Sequence, residues 1–210
     1  MIQILLIIVL AAILVVLFRK FSHLGGEGEN KNLTVATPIN NKVQEVQQER
    51  ETKLKKKLEL EKALERVRSL KRKGEKDKAE KVLLKLLTLF NQRPEIFYEL
   101  GLLYLEEHKY ENAISALTAA AKRESENGFY FHALGLAYLK NNDFLKAIEN
   151  LDKALHYNNK IAYRWADLAS ALIGLEKFKE AKDAIAQALE IEPHNVRYRS
   201  ILESLEKKIG

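Results

Sequence analysis

The pattern of apolar and polar positions repeats every 34 residues in the second half of the chain. Gly101 and Gly135 are followed at this interval by Ala169. Within each 34-residue unit, the recurring apolar and small residues are three, four or seven positions apart. At these spacings they fall on one face of a helix. The pattern predicts three units of two helices each, at residues 94–127, 128–161 and 162–195. The columns that keep the interval are Phe97, Phe131 and Trp165; Leu100, Leu134 and Leu168; Tyr104, Tyr138 and Leu172; Ala113, Ala147 and Ala181; and Ala120, Ala154 and Ala188.

The alanine columns explain how the two helices of a unit would pack. Small residues seven positions apart lie on one face of the second helix, where they let the neighbouring helix approach to about 8–10 Å. A polar turn such as Lys140–Asp143 separates the two helices. One helical hairpin cannot bury its apolar face alone, so the units must stack on one another. The expected fold is therefore an all-α solenoid.

These columns resemble the pattern of the tetratricopeptide repeat family. That pattern has an aromatic residue, Leu-Gly, Tyr, and then two alanines around a large apolar residue, with a proline near the end of the 34 residues. The third unit departs from it at Ala169 and Leu172, and only Pro193 represents the late proline. The resemblance implies helical hairpins stacked into a protein-binding solenoid.

Two flanking segments continue the pattern less clearly. Residues 60–93 place Gly74 in the turn and Ala79, Leu83 and Leu86 in the second-helix columns, which predicts a degenerate first repeat. Residues 196–210 predict one further helix with a polar outer face, suited to capping the solenoid. Upstream, residues 42–93 begin as a charged helix with a narrow apolar stripe, a pattern also compatible with a coiled coil. Residues 22–41 carry Gly, Pro and Asn and predict a flexible tether.

The first 21 residues predict a membrane anchor. Ile2–Phe18 contain no charged residue and would form a transmembrane helix of about 25 Å. A cleaved signal peptide is the alternative, but this segment has no basic residue at its start and no convincing cleavage site after the apolar run. Arg19 and Lys20 follow the apolar run, so the positive-inside rule predicts a single-pass protein of the cell membrane with the repeats in the cytoplasm.

The net charge of +6 is concentrated near the middle of the chain. Residues 42–93 hold 17 Lys and Arg against nine Asp and Glu. Three interpretations of the basic cluster stay open: contact with anionic lipid together with Arg19 and Lys20, contact with nucleic acid, or a solvated face whose lysines pair with nearby glutamates. No interleaved aromatic residues support nucleic acid binding. The cluster consists of Lys53, Lys55, Lys56 and Lys57.

The resemblance implies that the first helices of the repeats line a concave groove that binds a partner protein or peptide. The groove residues would be Tyr98, Leu102, Leu105, Phe129, His132, Leu136, Leu139 and Tyr163. The Lys, Asn and Arg set with which some family members clamp a terminal carboxylate is absent. The groove therefore favours an amphipathic helix or an extended apolar segment. The alternative is that these side chains pack internally or against the basic helix of the same chain.

The sequence does not favour an enzyme. There is no cysteine, which excludes thiolate chemistry and cysteine-ligated metals. The five histidines form no pair at metal-ligand spacing, and no phosphate loop or nucleophile motif occurs. We expect no cofactor and no metal. Two functions remain: a membrane-anchored interaction scaffold, or an assembly subunit of a cell-envelope complex that acts through self-association as a homo-oligomer.

Overall fold

The computed structural model describes Ile13 and residues 36–210, with side chains from Asn41 onward. The chain divides into two compact parts, Met1–Lys53 and Leu54–Gly210. The described part is entirely helical apart from turns. Its helices are α1 (Ala36–Arg72), α2 (Lys76–Leu89), α3 (Pro94–Glu106), α4 (Tyr110–Arg123), α5 (Gly128–Lys140), α6 (Phe144–Tyr157), α7 (Ala162–Gly174), α8 (Phe178–Ile191) and α9 (Val196–Ile209).

Helix α1 is longer than the sequence predicted. It begins at Ala36, so residues 36–41 of the predicted tether 22–41 are helical. Pro38 falls in the first turn, where the missing N–H has no intrahelical partner to lose, and proline is therefore tolerated there. The rest of the predicted tether lies outside the described residues. The predicted degenerate repeat takes its first helix from the C-terminal part of α1.

The helices of Leu54–Gly210 pair in chain order, as expected for an all-α tetratricopeptide solenoid. Their starts keep the 34-residue interval: α3, α5 and α7 begin at Pro94, Gly128 and Ala162. Helices α3, α5 and α7 each pack on the second helix of their own unit and on the second helix of the preceding unit. At the beginning of the array, Leu60, Leu64 and Val67 of α1 are buried in one core cluster with residues of α2 and α3. The predicted all-α solenoid is confirmed.

One column of small residues sets the distance between the paired helices. A Cβ on Gly101 would overlap Leu117 Cγ. A Cβ on Gly135 would lie 2.7 Å from Leu151 Cγ. In both hairpins the backbone of the first helix therefore rests directly on a leucine of the second helix. These leucines, Leu117 and Leu151, are fully buried.

The turn inside each hairpin uses the same backbone conformation. Gly74, His108, Asn142 and Glu176 all have positive φ, between 59° and 75°. These residues are 34 positions apart, and each follows the end of a first helix. In the second unit, Asn142 N donates to Leu139 O and Asp143 N donates to Tyr138 O. Those two bonds form a Schellman motif, which ends the helix and turns the chain toward the next one.

Helix α9 occupies the place of a further first helix. Its buried residues are Tyr198 and Leu205, with Ile201 and Leu202 packed partly against the core. Glu203 stands in the column of Gly101 and Gly135, and it is exposed. A charged side chain there presents a polar outer face, as a terminal helix requires.

The predicted location in the cell membrane is wrong by this structure. Within the described residues, none of the helices combines the length and apolar character needed to cross a bilayer. The segment predicted as the anchor, residues 1–21, lies outside the described residues except for Ile13.

Candidate peptide-binding surface

The first helices α3, α5 and α7 form a continuous surface, because α3 contacts α5 and α5 contacts α7. We call this the first-helix surface. It carries the predicted groove residues, which recur at equivalent positions of successive helices. Tyr98, Leu102 and Leu105 lie on α3; Phe129, His132, Leu136 and Leu139 lie on α5; and Tyr163 lies on α7.

These residues differ in how much of their side chain is open to solvent. Phe129 is 54% exposed and Tyr163 is 42% exposed, so both aromatic rings are available to a ligand. Tyr98, Leu102 and Leu105 are half-buried and pack against the core cluster of α4 and α5. Leu139 packs against the core cluster that contains Leu151. The internal packing foreseen as the alternative therefore applies to part of the set, and the two exposed aromatics stand out from it.

His132 joins two repeats at this surface. Its Nε2 lies 2.7 Å from Asp167 Oδ2 on α7, and both side chains are partly buried. The His132 ring also meets Tyr163 edge-on, with centroids 5.0 Å apart. The histidine is thus held by a carboxylate and in turn supports the exposed Tyr163 ring.

An ion-pair cluster borders the surface where α1 meets α3. Glu99 is only 4% exposed, and Arg68 Nε donates to its Oε1 at 2.8 Å. Lys71 Nζ lies 3.7 Å from the other oxygen of Glu99 and 3.0 Å from Glu106 Oε1. The hydrogen bond with Glu99 raises the pKa of Arg68 above its ordinary value. A buried carboxylate is costly unless cations lie close to it, and Arg68 and Lys71 supply those cations for Glu99.

Arg164 is a buried cation at the start of α7 that the repeat pattern did not single out. It is 1% exposed, and its Nη1 donates to Ala154 O at 2.7 Å and to Asn158 O at 3.2 Å. Its guanidinium carbon lies 5.0 Å from the ring centroid of Phe129. Arg164 therefore caps the C-terminal carbonyls of α6 and supports the Phe129 ring from below. The signal was present in its column, where the other repeats place Ile96, Tyr130 and Tyr198.

Tyr98 and Tyr130, on α3 and α5, remain protonated. The rings of Tyr98 and Tyr130 are 5.0 Å apart. Burial raises the pKa of Tyr98 and, more strongly, that of Tyr130, and the carboxylates of Glu124 and Glu95 add to the rise at Tyr130. Both phenols are therefore neutral hydrogen-bonding groups at physiological pH.

The residues predicted to contact lipid are only partly described. Arg19 and Lys20 lie outside the described residues. The lysines of the basic cluster are exposed on α1, where Lys53 pairs with Glu49 at 2.6 Å and Lys57 with Glu61 at 4.0 Å. Lipid contact at these lysines stays a prediction. In the described part of the chain, no group of three or more His, Asp or Glu side chains is arranged to hold a metal ion.

Known structures with the same arrangement of helices bind peptides in some cases. The first tetratricopeptide domain of Spaghetti (RPAP3), solved bound to the HSP90 peptide SRMEEVD, is 24% identical, with a TM-score of 0.54 over 56% of this chain and 94% of that one. MamA from Desulfovibrio magneticus RS-1, from its residue 41 to its end, is 18% identical, with a TM-score of 0.66 over 70% of this chain and 82% of that one. The Arabidopsis OM64 tetratricopeptide domain is 24% identical, with a TM-score of 0.53 over 54% of this chain and 94% of that one. At these identities the similarity shows the fold alone.

Family models agree with the structural comparison. Two models, both described as tetratricopeptide repeat, match residues 64–128 and 138–205. No curated protein sequence matches the chain. The first match includes the degenerate repeat formed by α1 and α2, and the second extends into α9. The chain therefore carries tetratricopeptide repeats, which the two models match within residues 64–205.

Proposed function

We propose that the protein is an interaction scaffold that binds a segment of a partner protein on its first-helix surface, and that it acts by binding rather than by catalysis. The observation that carries this proposal is the exposed aromatic pair Phe129 and Tyr163. They occupy equivalent positions of two successive repeats, so one extended or helical segment can contact both.

The support beneath the two rings favours binding over a chance exposure. Phe129 lies over the buried guanidinium of Arg164, and Tyr163 lies against His132, which Asp167 holds in place. Aromatic side chains with few rotatable bonds bury a large area at low entropic cost when a ligand covers them. Rings that are already positioned lose less freedom on binding than mobile ones.

The charges around the pair indicate the chemistry of the ligand. Asp167 is engaged with His132, while Glu99 and Glu106 are engaged with Arg68 and Lys71. Glu95 of α3 is an exception, because its Oε2 is buried without a hydrogen-bond partner. Apart from Glu95, the surface offers aromatic and aliphatic contacts in preference to unpaired charge. We infer that the ligand presents apolar side chains to Phe129 and Tyr163. The HSP90 peptide bound by the RPAP3 domain supports peptide binding as the mode, while the clamp residues for an acidic tail are absent here.

The proposal is tested by selecting ligands from a random peptide library displayed on phage, with the full chain as bait. Peptides enriched on the wild type are synthesised, and their dissociation constants are measured by fluorescence anisotropy. Phe129→Ala combined with Tyr163→Ala is expected to weaken binding at least tenfold, since buried aromatic contacts dominate such interfaces. Leu145→Ala is the matched control, because Leu145 is 70% exposed on α6 and lies outside the first-helix surface.

Enrichment of apolar or aromatic peptides that lose affinity only in the double variant supports the proposal. Equal affinity for the double variant and the wild type, or failure of the library to yield any specific peptide, overturns it. Circular dichroism of each variant verifies that the helices and the melting temperature are retained, which the exposure of both side chains leads us to expect.

A further inference from the structure

A second groove lies between α6 and α8, which both pack on α7. We call it the α6–α8 groove, and it is an open space of about 320 Å³. Tyr163 and Trp165 are two positions apart on α7, about 200° around the helix, so this groove is separate from the first-helix surface. Its lining combines apolar side chains with carboxylates, and includes Ile148, Trp165, Leu168, Leu172, Asp152 and Asp183.

Trp165 is held in a fixed position in this groove. It is partly buried against the core cluster that contains Leu172, and its Nε1 donates to Asn159 O at 2.8 Å. A ring that is already positioned loses little freedom when a ligand covers it. Tryptophan is also the aromatic side chain that attracts a cation most strongly.

In the two preceding repeats, cations of the chain itself cover the aromatic residue of the same column. The guanidinium carbon of Arg123 lies 4.1 Å from the ring centroid of Phe97. Lys153 Nζ lies 5.7 Å from the ring centroid of Phe131. A cation over the ring is therefore the ordinary arrangement at this position of the array.

The repeat that contains Trp165 has neutral residues in place of these cations. Ile191 follows Arg123 at twice the repeat interval, and Gln187 follows Lys153 at one interval. Within the described residues, none of the cation–aromatic pairs includes Trp165. The ring of this repeat is therefore open to a cation from another molecule.

The charges that line the groove match such a cation. Asp152 and Asp183 are exposed in it, and among the ion pairs of residues 41–210 none includes either carboxylate. Partial loss of water raises the pKa of Asp152, and the described residues supply no cation that offsets this rise. Glu180 also lines the groove, but Lys177 pairs with it at 3.0 Å. Two carboxylates beside Trp165 are thus left for a ligand.

An arginine side chain fits both features of the groove. Its planar guanidinium stacks on an aromatic ring while its N–H groups donate to carboxylates, and its aliphatic part covers apolar surface. The equivalent groove two repeats earlier has Ser115 where this one has Asp183, so the acidic lining belongs to the third repeat. We propose that the α6–α8 groove binds a segment of a partner protein that places an arginine over Trp165 and beside Asp152 and Asp183. This inference is independent of peptide binding on the first-helix surface.

Peptide selection on a bait without the exposed aromatic pair tests this proposal. A random peptide library that lacks tryptophan is displayed on phage and selected on the full chain carrying Phe129→Ala and Tyr163→Ala. Enriched peptides are synthesised with arginine and, as matched probes, with neutral citrulline in its place. Trp165 is the single tryptophan of the sequence, so its fluorescence reports binding in the groove. We expect the enriched peptides to contain arginine and to bind about tenfold or more tightly than their citrulline counterparts.

Neutralising the groove carboxylates should weaken binding of the arginine peptides about tenfold or more. Asp152→Asn combined with Asp183→Asn is the test variant. Asp77→Asn combined with Glu203→Gln is the matched control, because it removes the same charge from exposed residues outside the groove. The control should bind within about twofold of the bait, since salt screens distant exposed charges. Equal affinity for the two variants overturns the proposal.

Restoring a cation to the third repeat provides the converse test. Gln187→Lys introduces the residue that one repeat earlier is Lys153, which covers the Phe131 ring. The new ammonium should take the place of the ligand's arginine and weaken binding about tenfold or more, whereas Gln187→Ala should leave the affinity unchanged. Equal affinities of these two variants contradict the proposal. Circular dichroism verifies that every variant keeps its helices.

Sedimentation equilibrium of the wild type distinguishes a partner protein from a second copy of this chain. Self-association that is lost in the variant with Asp152→Asn and Asp183→Asn would assign the groove to a basic segment of a second copy and overturn the proposal. A library that yields no arginine peptide overturns it as well. Because the bait lacks the rings of Phe129 and Tyr163, these outcomes do not depend on the proposed function.

Discussion

Gly135 rests on Leu151 so closely that a Cβ on the glycine would lie 2.7 Å from Leu151 Cγ and 3.0 Å from its Cδ2. Real side chains do not pack at such distances, so the helix spacing of this hairpin depends on the missing methyl group. Gly101 meets Leu117 in the same way one repeat earlier. Ala169 and Val67 occupy the same column and are fully buried, so the hairpins at these positions accommodate a side chain.

We expect Gly135→Ala to destabilise the protein by about 1–3 kcal/mol, because the added methyl overpacks a filled contact. This loss of stability is expected even though helix propensity alone favours alanine over glycine by about 1 kcal/mol. Gly135→Leu and Ala147→Leu should cost more. Urea unfolding followed by circular dichroism measures the effect.

Ser115→Ala is the control for that prediction, since Ser115 is exposed on α4 and the new residue is again alanine. Its stability should stay within about 0.5 kcal/mol of the wild type, as is usual for exposed sites. Melting curves for the Gly135 and Ala147 variants that match the wild type would refute this pairing of helices.

The recurring positive φ predicts opposite effects of glycine at two kinds of site. Glu176 has φ 59°, so Glu176→Gly should stabilise the protein by about 1 kcal/mol by relieving left-handed strain. Gly74 has φ 75°, and a Cβ added there would meet no atom within 4 Å. Gly74→Ala should therefore destabilise the protein by a similar amount through the backbone alone.

Gln187→Gly serves as the comparison for both turn variants, because Gln187 is an exposed interior residue of α8. There glycine should cost about 1 kcal/mol, the ordinary helix penalty. Free energies of unfolding from urea titrations provide the measurement for all three variants. Equal and unfavourable effects of Glu176→Gly and Gln187→Gly would show that position 176 carries no backbone strain.

Removal of Arg164 should leave the carbonyl ends of α6 without their buried donor. We expect Arg164→Met to destabilise the protein by about 1–3 kcal/mol, the cost of unsatisfied buried polar groups. Arg164→Tyr, which places the residue of Tyr130 and Tyr198 in the same column, should cost less. Thermal unfolding of the two variants checks the order, and a methionine variant as stable as the wild type would contradict the capping role.

Asp143 makes the start of α6 sensitive to acid. Its Oδ1 accepts from Lys146 N at 3.3 Å, and its Oδ2 accepts from Lys146 Nζ at 2.7 Å. The Lys146 side chain lowers the pKa of Asp143, so the ionised form is favoured in the folded state. The stabilisation is then present above the pKa of the unfolded chain, and it is lost as pH falls through the lowered folded value.

Asp143→Ala should cost about 0.5–2 kcal/mol at pH 7, the usual cost of losing an N-cap. Asp143→Asn keeps an accepting oxygen and should cost less. The difference in unfolding free energy between the wild type and Asp143→Asn should shrink as pH falls below about 4, where an ordinary aspartate begins to protonate. A difference that stays constant from about pH 7 to about pH 2 would exclude the ion pair as its source.

The repeats could be predicted from sequence because their signal is local and recurs in phase. Columns such as Ala113, Ala147 and Ala181 depend on helical spacing within a unit, and the structure buries all three. The polar face of α9 followed from the same logic. Phe129 and Tyr163 were expected on the first-helix surface by resemblance, and the structure exposes both there.

Other features depend on contacts between distant residues, which spacing does not reveal. The pairs Arg68–Glu99 and His132–Asp167 join different repeats, and nothing in the local sequence marks them. The residue with positive φ in the turn is glycine in the first repeat and histidine, asparagine and glutamate in the later ones. Because the residue type varies, the sequence does not reveal that the backbone conformation is constant. Arg164 has room for its guanidinium because of the glycine opposite it, since a Cβ on Gly128 would lie 3.1 Å from Arg164 Nη1.

Binding of partners on the first-helix surface is tested most directly by amide chemical-shift mapping. A peptide selected from the library is titrated into the isotope-labelled full chain. We predict that the largest shifts fall on α3, α5 and α7, centred on Phe129, His132 and Tyr163. Largest shifts confined to α4, α6 and α8 would contradict binding at this surface.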